Sequence, residues 1–237
     1  MKSLGLIAGT VFFGMDWFLD VSEKIVETPF GSASVFCGER VVFIPRHGKD
    51  ETNYIMPHRI NHSANFSALR NLGVEAVVGV HSTGSLKSEL VPGSIVIPDD
   101  FISLFNVPSI FQDRPGHVTP LLDQGLQAAL FQAGRRIGAP IVAGGTYWQN
   151  TGPRLETKAE IRLLSQFADL VGMTMGSEAT IAVEMGIPYA SVCSVDNYAH
   201  GVADVVVSEA AIREGAGRNA STITRILEQF LDHTTME

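Results

Sequence analysis

Only two cysteines, Cys37 and Cys193, occur in the chain, too few for a disulfide framework or a four-thiolate zinc site. Both are expected to be inert core residues in a reducing compartment. No apolar run approaches the about 18 residues that a membrane-crossing helix needs. The opening MKSLGLIAGT reaches glycine and threonine too early for a signal peptide. The expected location is therefore cytoplasmic, with no membrane partner. Positive charge is also scarce: 17 Lys and Arg stand against 25 Asp and Glu, a formal net charge of −8. A surface of that sign repels phosphodiester backbones, so nucleic acid is not an expected partner, while a local basic site for a small anion is compatible with it. Motifs are missing too. No glycine pair near Thr10 completes GxGxxG, which disfavours a dinucleotide cofactor. Without HExxH, clustered Cys and His, or GxSxG, metal hydrolysis and serine-hydrolase chemistry lack support, and no metal site is expected.

What is present is apolar material. AVILMFWYC make up 45% and charged residues 18% of 237 residues, enough for a substantial core and against disorder. A single domain over 1–237 is expected. Short β-rich runs at Leu4–Ile7, Ser34–Phe36, Val41–Ile44, Ala76–Val80, Ser94–Ile97, Ile141–Thr146, Leu170–Met173 and Tyr189–Val195 alternate with helical patterns. The helical stretches are Asn61–Leu72, Leu122–Ile137, Lys158–Phe167, Ser177–Met185 and Ser208–Leu231. Strands separated by single helices predict an α/β fold around a largely parallel sheet. Phe101–Pro120 reads as a long loop, either functional or a tolerated insertion.

Several strands end in groups suited to an anion. Ala8-Gly9-Thr10, Arg46-His47-Gly48 and His81-Ser82-Thr83 each follow an apolar strand, at the sheet edge where α/β proteins bind ligands. Arg46 offers a planar fork of donors to phosphate and His47 another donor. Arg46 is expected to be a site group outside the core, so that its replacement by alanine leaves the fold intact. If these strands are neighbours, Thr10, Arg46, His47 and Ser82 converge on one pocket. Other positions stay open between two readings. Glu156 is a helix-start carboxylate or a ligand acceptor, Arg154 a loop brace or a ligand group, and Thr174 or Ser177 a helix cap or a site hydroxyl. Met173 and Met175 read as gap-fillers, and Asn197 as an Asx-turn residue or an amide facing a ligand.

Taken in order, AGT, PRHG, IMPHRIN, HSTGSL before VPGSIVIPDDFI, TGPRLETKAEI, GMTMGSEA and YASVCSVDN resemble the trimeric purine nucleoside phosphorylases, including their methylthioadenosine and methylthioinosine phosphorylase branch. The resemblance runs from Gly5 to Asn197. It implies a single α/β domain whose mixed, mostly parallel sheet curls into a partly closed barrel flanked by helices, and a homotrimer or hexamer with active sites shared across interfaces. It implies phosphate held by Thr10, Arg46, His47, the His81–Ser82 turn and Thr174. Met173 would lie against the ribose, Glu156 and Asn197 would meet the purine, and His117 would reach a neighbouring subunit's ribose 5′ region. Asn197, Glu156 and His47 are the expected catalytic residues, with inorganic phosphate as co-substrate and no other cofactor.

The chemistry fits such groups. Breaking an N-glycosidic bond leaves positive charge on the ribose and negative charge on the purine, so an anion belongs beside one and donors beside the other. An Asn amide can accept N7–H and donate to O6 while Glu156 accepts N1–H, a pattern for 6-oxopurines: inosine, guanosine or methylthioinosine. In methylthioadenosine phosphorylases the position matching Asn197 is usually Asp; here the acid, Asp196, comes one residue earlier. A one-residue shift in register would reverse this preference. The chain departs from the family at AGTV in place of GTG, at His62 in place of Tyr, and at His81 in place of a small residue such as Thr. Three alternatives are therefore kept: a methylthioadenosine phosphorylase, a nucleosidase using water, and an idle purine-binding paralogue.

Overall fold

The computed structural model describes residues 3–9, 21–49 and 52–234. Thr10 and Val11 lie outside the described residues. The core of the sheet is four parallel neighbours: β4 (Val41–Pro45), β1 (Leu4–Ala8), β5 (Ala76–Ser85) and β11 (Tyr189–Tyr198). Their residues are apolar on both faces, as strands covered by helices on each side must be. Adjacent residues divide between two apolar layers because side chains alternate across a pleated strand. Ile7, Val77 and Tyr189 pack with α1 (His62–Asn71) and α4 (Met175–Met185). Leu6, Val78 and Ala190 pack with α2 (Gln124–Arg136) and α5 (Glu209–Thr234).

The sheet branches at β5. Its first part pairs with β1 and β11, and its last residues pair antiparallel with β10 (Leu170–Gly172). From β10 the ladder continues in parallel to β9 (Thr146–Gln149) and β7 (Asp100–Ser103). From β11 it continues to β6 (Ile95–Ile97) and β8 (Ile141–Ala143). This is a single α/β domain with a mixed, branched sheet whose strand ladders do not close a ring among the described residues.

Several local expectations are corrected. The edge hairpin of β2 (Ser22–Thr28) and β3 (Gly31–Cys37) is longer than expected and β2 was not expected at all, because its side chains are polar and mostly exposed. The run 141–146 is two strands, broken where Gly144 and Gly145 adopt φ of +83° and +122°. The stretch after Phe101 begins inside β7 before it becomes a loop. Helix α4 starts at Met175 and leaves Met173 and Thr174 in the connection from β10. The parallel register pairs Ala8 with Pro45, so Gly9 and Arg46 leave the sheet at the same edge. Among the described residues, no helix is long and apolar enough to cross a membrane.

Candidate functional site

A cavity of about 640 Å³ opens at that edge. It collects residues from widely separated segments because parallel strands end side by side and β5 and β11 run on together past β1. Arg46 and His47 follow β4, Ser82 lies within β5, Met173 and Thr174 follow β10, Glu156 precedes α3 (Lys158–Leu164), and Asn197 lies near the end of β11; all line the cavity. Asn197 stands opposite Gly84 in the β5 ladder, two residues beyond Ser82.

Arg46 differs from its expected setting. It is only 3% exposed, and Nε donates to Glu178 Oε1 at 2.6 Å. Nη1 donates to the Val80 carbonyl at 2.6 Å and Nη2 to the Ile7 carbonyl at 3.0 Å. Three of the five N–H groups of a guanidinium are thus committed internally, leaving about two for a ligand. The alanine variant accordingly removes a buried counter-charge, contrary to the sequence expectation.

His47 is also oriented from behind. Its Nδ1 lies 2.9 Å from the Ile55 carbonyl, which can only accept, so Nδ1 carries the hydrogen. Burial, then the charge of Arg46, pushes its pKa down to about 4. Neutral His47 therefore presents Nε2 as an acceptor, where the sequence had suggested a donor. Its ring stacks on Tyr54, centroids 4.9 Å apart at 8°.

His81 is the clearest correction. It is buried at 1% exposure and is absent from the cavity wall. Its Nδ1 lies 2.9 Å from Thr174 Oγ1 and its Nε2 3.0 Å from the Tyr189 hydroxyl. The side chain points along the sheet because the pleat that turns Ser82 to the cavity turns His81 inward. Thr174 is the positional N-cap of α4 but makes no side-chain cap bond. The Tyr147 hydroxyl accepts from the backbone N–H of Thr174 and Met175, and Gln149 accepts from Ser177. The first turn of α4 thus has few amides left for an anion. His62, at the start of α1, is buried outside the wall, and burial holds its pKa at about 3.

At the other end, Glu156 is half-buried. Trp148 Nε1 donates to Asn150 Oδ1 at 3.1 Å, and Asn150 Nδ2 donates to Glu156 Oε1 at 2.7 Å. This chain orients the carboxylate and leaves Oε2 for a ligand. Glu156 precedes the Thr157 cap of α3 and so is not the helix-start carboxylate; Glu160 completes that capping box. Arg154 braces the same turn through two bonds to Glu160, 2.7 and 2.8 Å. Met173 is held against Gly152, where a Cβ would lie 2.4 Å from the Met173 sulfur. Asn197 Nδ2 donates to the Tyr198 carbonyl at 2.8 Å, which leaves the amide oxygen and one N–H for a ligand. Asp196 does not itself line the cavity: its Oδ1 accepts from Asn219 Nδ2 at 2.7 Å, and burial raises its pKa against the opposing pull of the lining hydroxyls of Ser82 and Ser194.

His117 is exposed and does not line the cavity. Sequence reasoning missed Tyr54, His200 and the first turns of α5, whose Ile212, Arg213 and Ala216 also line the wall. His200 Nδ1 donates to the Glu156 carbonyl at 3.2 Å. The clue available for α5 was an apolar pattern reaching upstream of its core-packing residues.

The sequence model of the phosphorylase superfamily matches residues 3–232. The chain is 45% identical over 231 residues to a probable 6-oxopurine nucleoside phosphorylase of Archaeoglobus fulgidus, covering 95% of this chain and 94% of that one. It is 37% identical over 216 residues to the S-methyl-5′-thioadenosine phosphorylase of Pyrococcus furiosus, covering 84% and 80%. Its fold is similar to methylthioadenosine phosphorylase from Schistosoma mansoni in complex with adenine, with a TM-score of 0.90 and 25% identity over 100% of this chain and 93% of that one.

Proposed function

Since the chain belongs to the phosphorylase superfamily, we propose that it cleaves the N-glycosidic bond of purine nucleosides with inorganic phosphate, releasing free base and ribose 1-phosphate, with 6-oxopurines preferred. The observation that carries the base preference is Asn197 lining the cavity with Glu156 while Asp196 is bonded away to Asn219. An amide offers one acceptor and one donor, which pairs with N7–H and O6; the Glu156 carboxylate accepts N1–H. A 6-aminopurine presents the inverse pattern and leaves buried groups unpaired.

Phosphate occupies the opposite end in this reading, against Arg46, His47, Ser82 and Thr174, with Thr10 assigned there by resemblance alone. Arg46 supplies charge, and neutral His47 accepts a phosphate O–H at Nε2. As the glycosidic bond lengthens, the anion stabilises the cationic ribose and then bonds to C1′, while the electron pair leaves with the purine, whose N7 is protonated. The reaction needs no metal or organic cofactor, because the nucleophile is the phosphate itself. Met173 lies against the sugar.

A 5′-methylthio substrate is the second reading, favoured by the apolar wall of Val207, Ile212 and Ala216 and by the names of the relatives. We also assign a homotrimer or hexamer in which His117 reaches a neighbouring ribose; exposed Leu104, Phe105, Val118 and Leu121 on the same loop support it. We also assign a cytoplasmic location, with which the two free cysteines are compatible.

The test is turnover of inosine, guanosine, adenosine and their methylthio counterparts with and without phosphate. Phosphate-dependent release of hypoxanthine or guanine is expected. Release indifferent to phosphate would make the protein a nucleosidase, and ligand-induced thermal stabilisation without product would make it an idle binder.

A further inference from the structure

Behind the phosphate end lie three buried polar side chains that the proposed reaction leaves unused: His81, Tyr189 and Glu178, exposed by 1% or less. They form one line. Thr174 Oγ1 lies 2.9 Å from His81 Nδ1, His81 Nε2 lies 3.0 Å from the Tyr189 hydroxyl, and that hydroxyl lies 3.0 Å from Glu178 Oε2. Glu178 Oε1 accepts from Arg46. The backbone leaves room for this junction only at a glycine: a Cβ on Gly79 would sit 2.2 Å from the Tyr189 oxygen, 2.5 Å from His81 Nε2 and 2.7 Å from Glu178 Oε2.

Donor and acceptor counting gives the line a direction. With Glu178 ionised, Tyr189 donates to it, His81 Nε2–H donates to Tyr189, and Nδ1 accepts from Thr174. The Thr174 hydroxyl then points its hydrogen inward, the wrong way for an anion. One added proton on Glu178 reverses every bond: Glu178 donates to Tyr189, Tyr189 to Nε2, Nδ1–H to Thr174, and the Thr174 hydrogen is released to the cavity.

We propose that Thr174, His81, Tyr189 and Glu178 form a proton relay that passes one proton from monoanionic phosphate to the buried carboxylate, leaving the phosphate as a dianion held by an outward Thr174 hydroxyl. This rests on the phosphorolytic reading above. The balance is closed. A phosphate O–H bond breaks as a new Thr174 O–H forms, the former Thr174 hydrogen moves to Nδ1, the Nε2 hydrogen moves to Tyr189, and the former Tyr189 hydrogen moves to Glu178 Oε2. Only phosphate and Glu178 change charge, while His81 changes tautomer. The remaining phosphate O–H is left for His47 Nε2.

The surroundings favour both ends of the transfer. Burial raises the Glu178 pKa, against the opposing pull of Arg46. His81 stays neutral because burial and then the positive field of Arg46, with His62 and His47 beyond, oppose its protonation. Tyr147 stands edge-on to His81 with ring centroids 6.1 Å apart, and the Cys193 thiol, its pKa pushed up to about 12 by burial, adds no charge. Once Glu178 is neutral, the Arg46 charge is free to answer the dianion.

The test titrates inorganic phosphate into the protein by calorimetry at about pH 8, in two buffers of different ionisation heat. Free phosphate is then mainly dianionic, so binding to the reversed relay takes up about one proton from solvent. Glu178→Gln carries a permanent donor toward Tyr189 and removes the proton acceptor, and Thr174→Val cuts the line at its cavity end while keeping its volume; both are expected to bring proton uptake to about zero, with melting curves reporting that they fold. No uptake by the unaltered protein, or equal uptake in a folded variant, overturns the relay. Phosphate-dependent turnover alongside either result keeps the functional reading; turnover indifferent to phosphate overturns that reading and the relay with it.

Discussion

At the scale of single residues, Asn197 and Arg46 show opposite outcomes of the same sequence reasoning. Asn197→Asp places two acceptors before O6 and removes a donor, so the ratio of kcat/KM for inosine to that for adenosine should fall by about tenfold or more, since each mispaired buried hydrogen bond costs about 1–3 kcal/mol. Steady-state assays of both nucleosides check it, and an unchanged ratio refutes the contact. Arg46→Ala should destabilise the protein by about 3–5 kcal/mol, because Glu178, fully buried, loses its counter-charge. Urea unfolding measures this; a loss below about 1 kcal/mol, as for an exposed pair, would show that Glu178 is already neutral. The sequence pointed to Arg46 as a site residue, and Arg46 does line the cavity. Its main partner, 132 residues away, was beyond any local pattern, and His81 was misplaced for the same reason: a strand residue's facing depends on register.

At the scale of elements, the loop into α3 was readable because its determinants are local. Thr157-Lys158-Ala159-Glu160 has capping-box spacing, and both bonds form. Thr157→Ala should cost about 1 kcal/mol of stability. Because Glu156 adjoins this cap and lies remote in sequence from Arg46 and Ser82, the variant should raise KM for the nucleoside several-fold more than KM for phosphate; equal rises would place Glu156 outside base recognition. Strand β2 shows the reverse case. SEKIVET lies at the sheet edge with polar residues largely in solvent, so its pairing with β3 rests on backbone hydrogen bonds that leave no apolar period to read.

At the scale of the whole molecule, buried neutral histidines tie stability to pH. His47 is held at about 4, His62 at about 3, and His81 well below the ordinary 6.5. Each takes up a proton on unfolding once pH drops below about 6.5, so their contribution is complete above that value and is lost as pH falls toward 4. Glu178, raised by burial, acts oppositely: it favours the fold at low pH and loses that contribution as pH rises above its ordinary value of 4.5. Urea midpoints should therefore fall between pH 7 and pH 5, with a slope of at most about 4 kcal/mol per pH unit from three protons. A flat profile would mean that these histidines charge within the fold.

Local chemistry in the sequence determined the alternation of strand and helix, the apolar central strands, the phosphorylase resemblance and the residue types proposed for oxyanion and base, because each is written within a few consecutive residues. Which of those side chains face the cavity was decided only by the folded sheet. Register and branching at β5 turn Ser82 out and His81 in, set Asn197 toward the cavity and Asp196 toward α5, and bring Arg46 onto Glu178. The physical reason is that facing and pairing are set by contacts between segments distant in the sequence, 132 residues apart for Arg46 and Glu178, where a shift of one residue exchanges inside for outside.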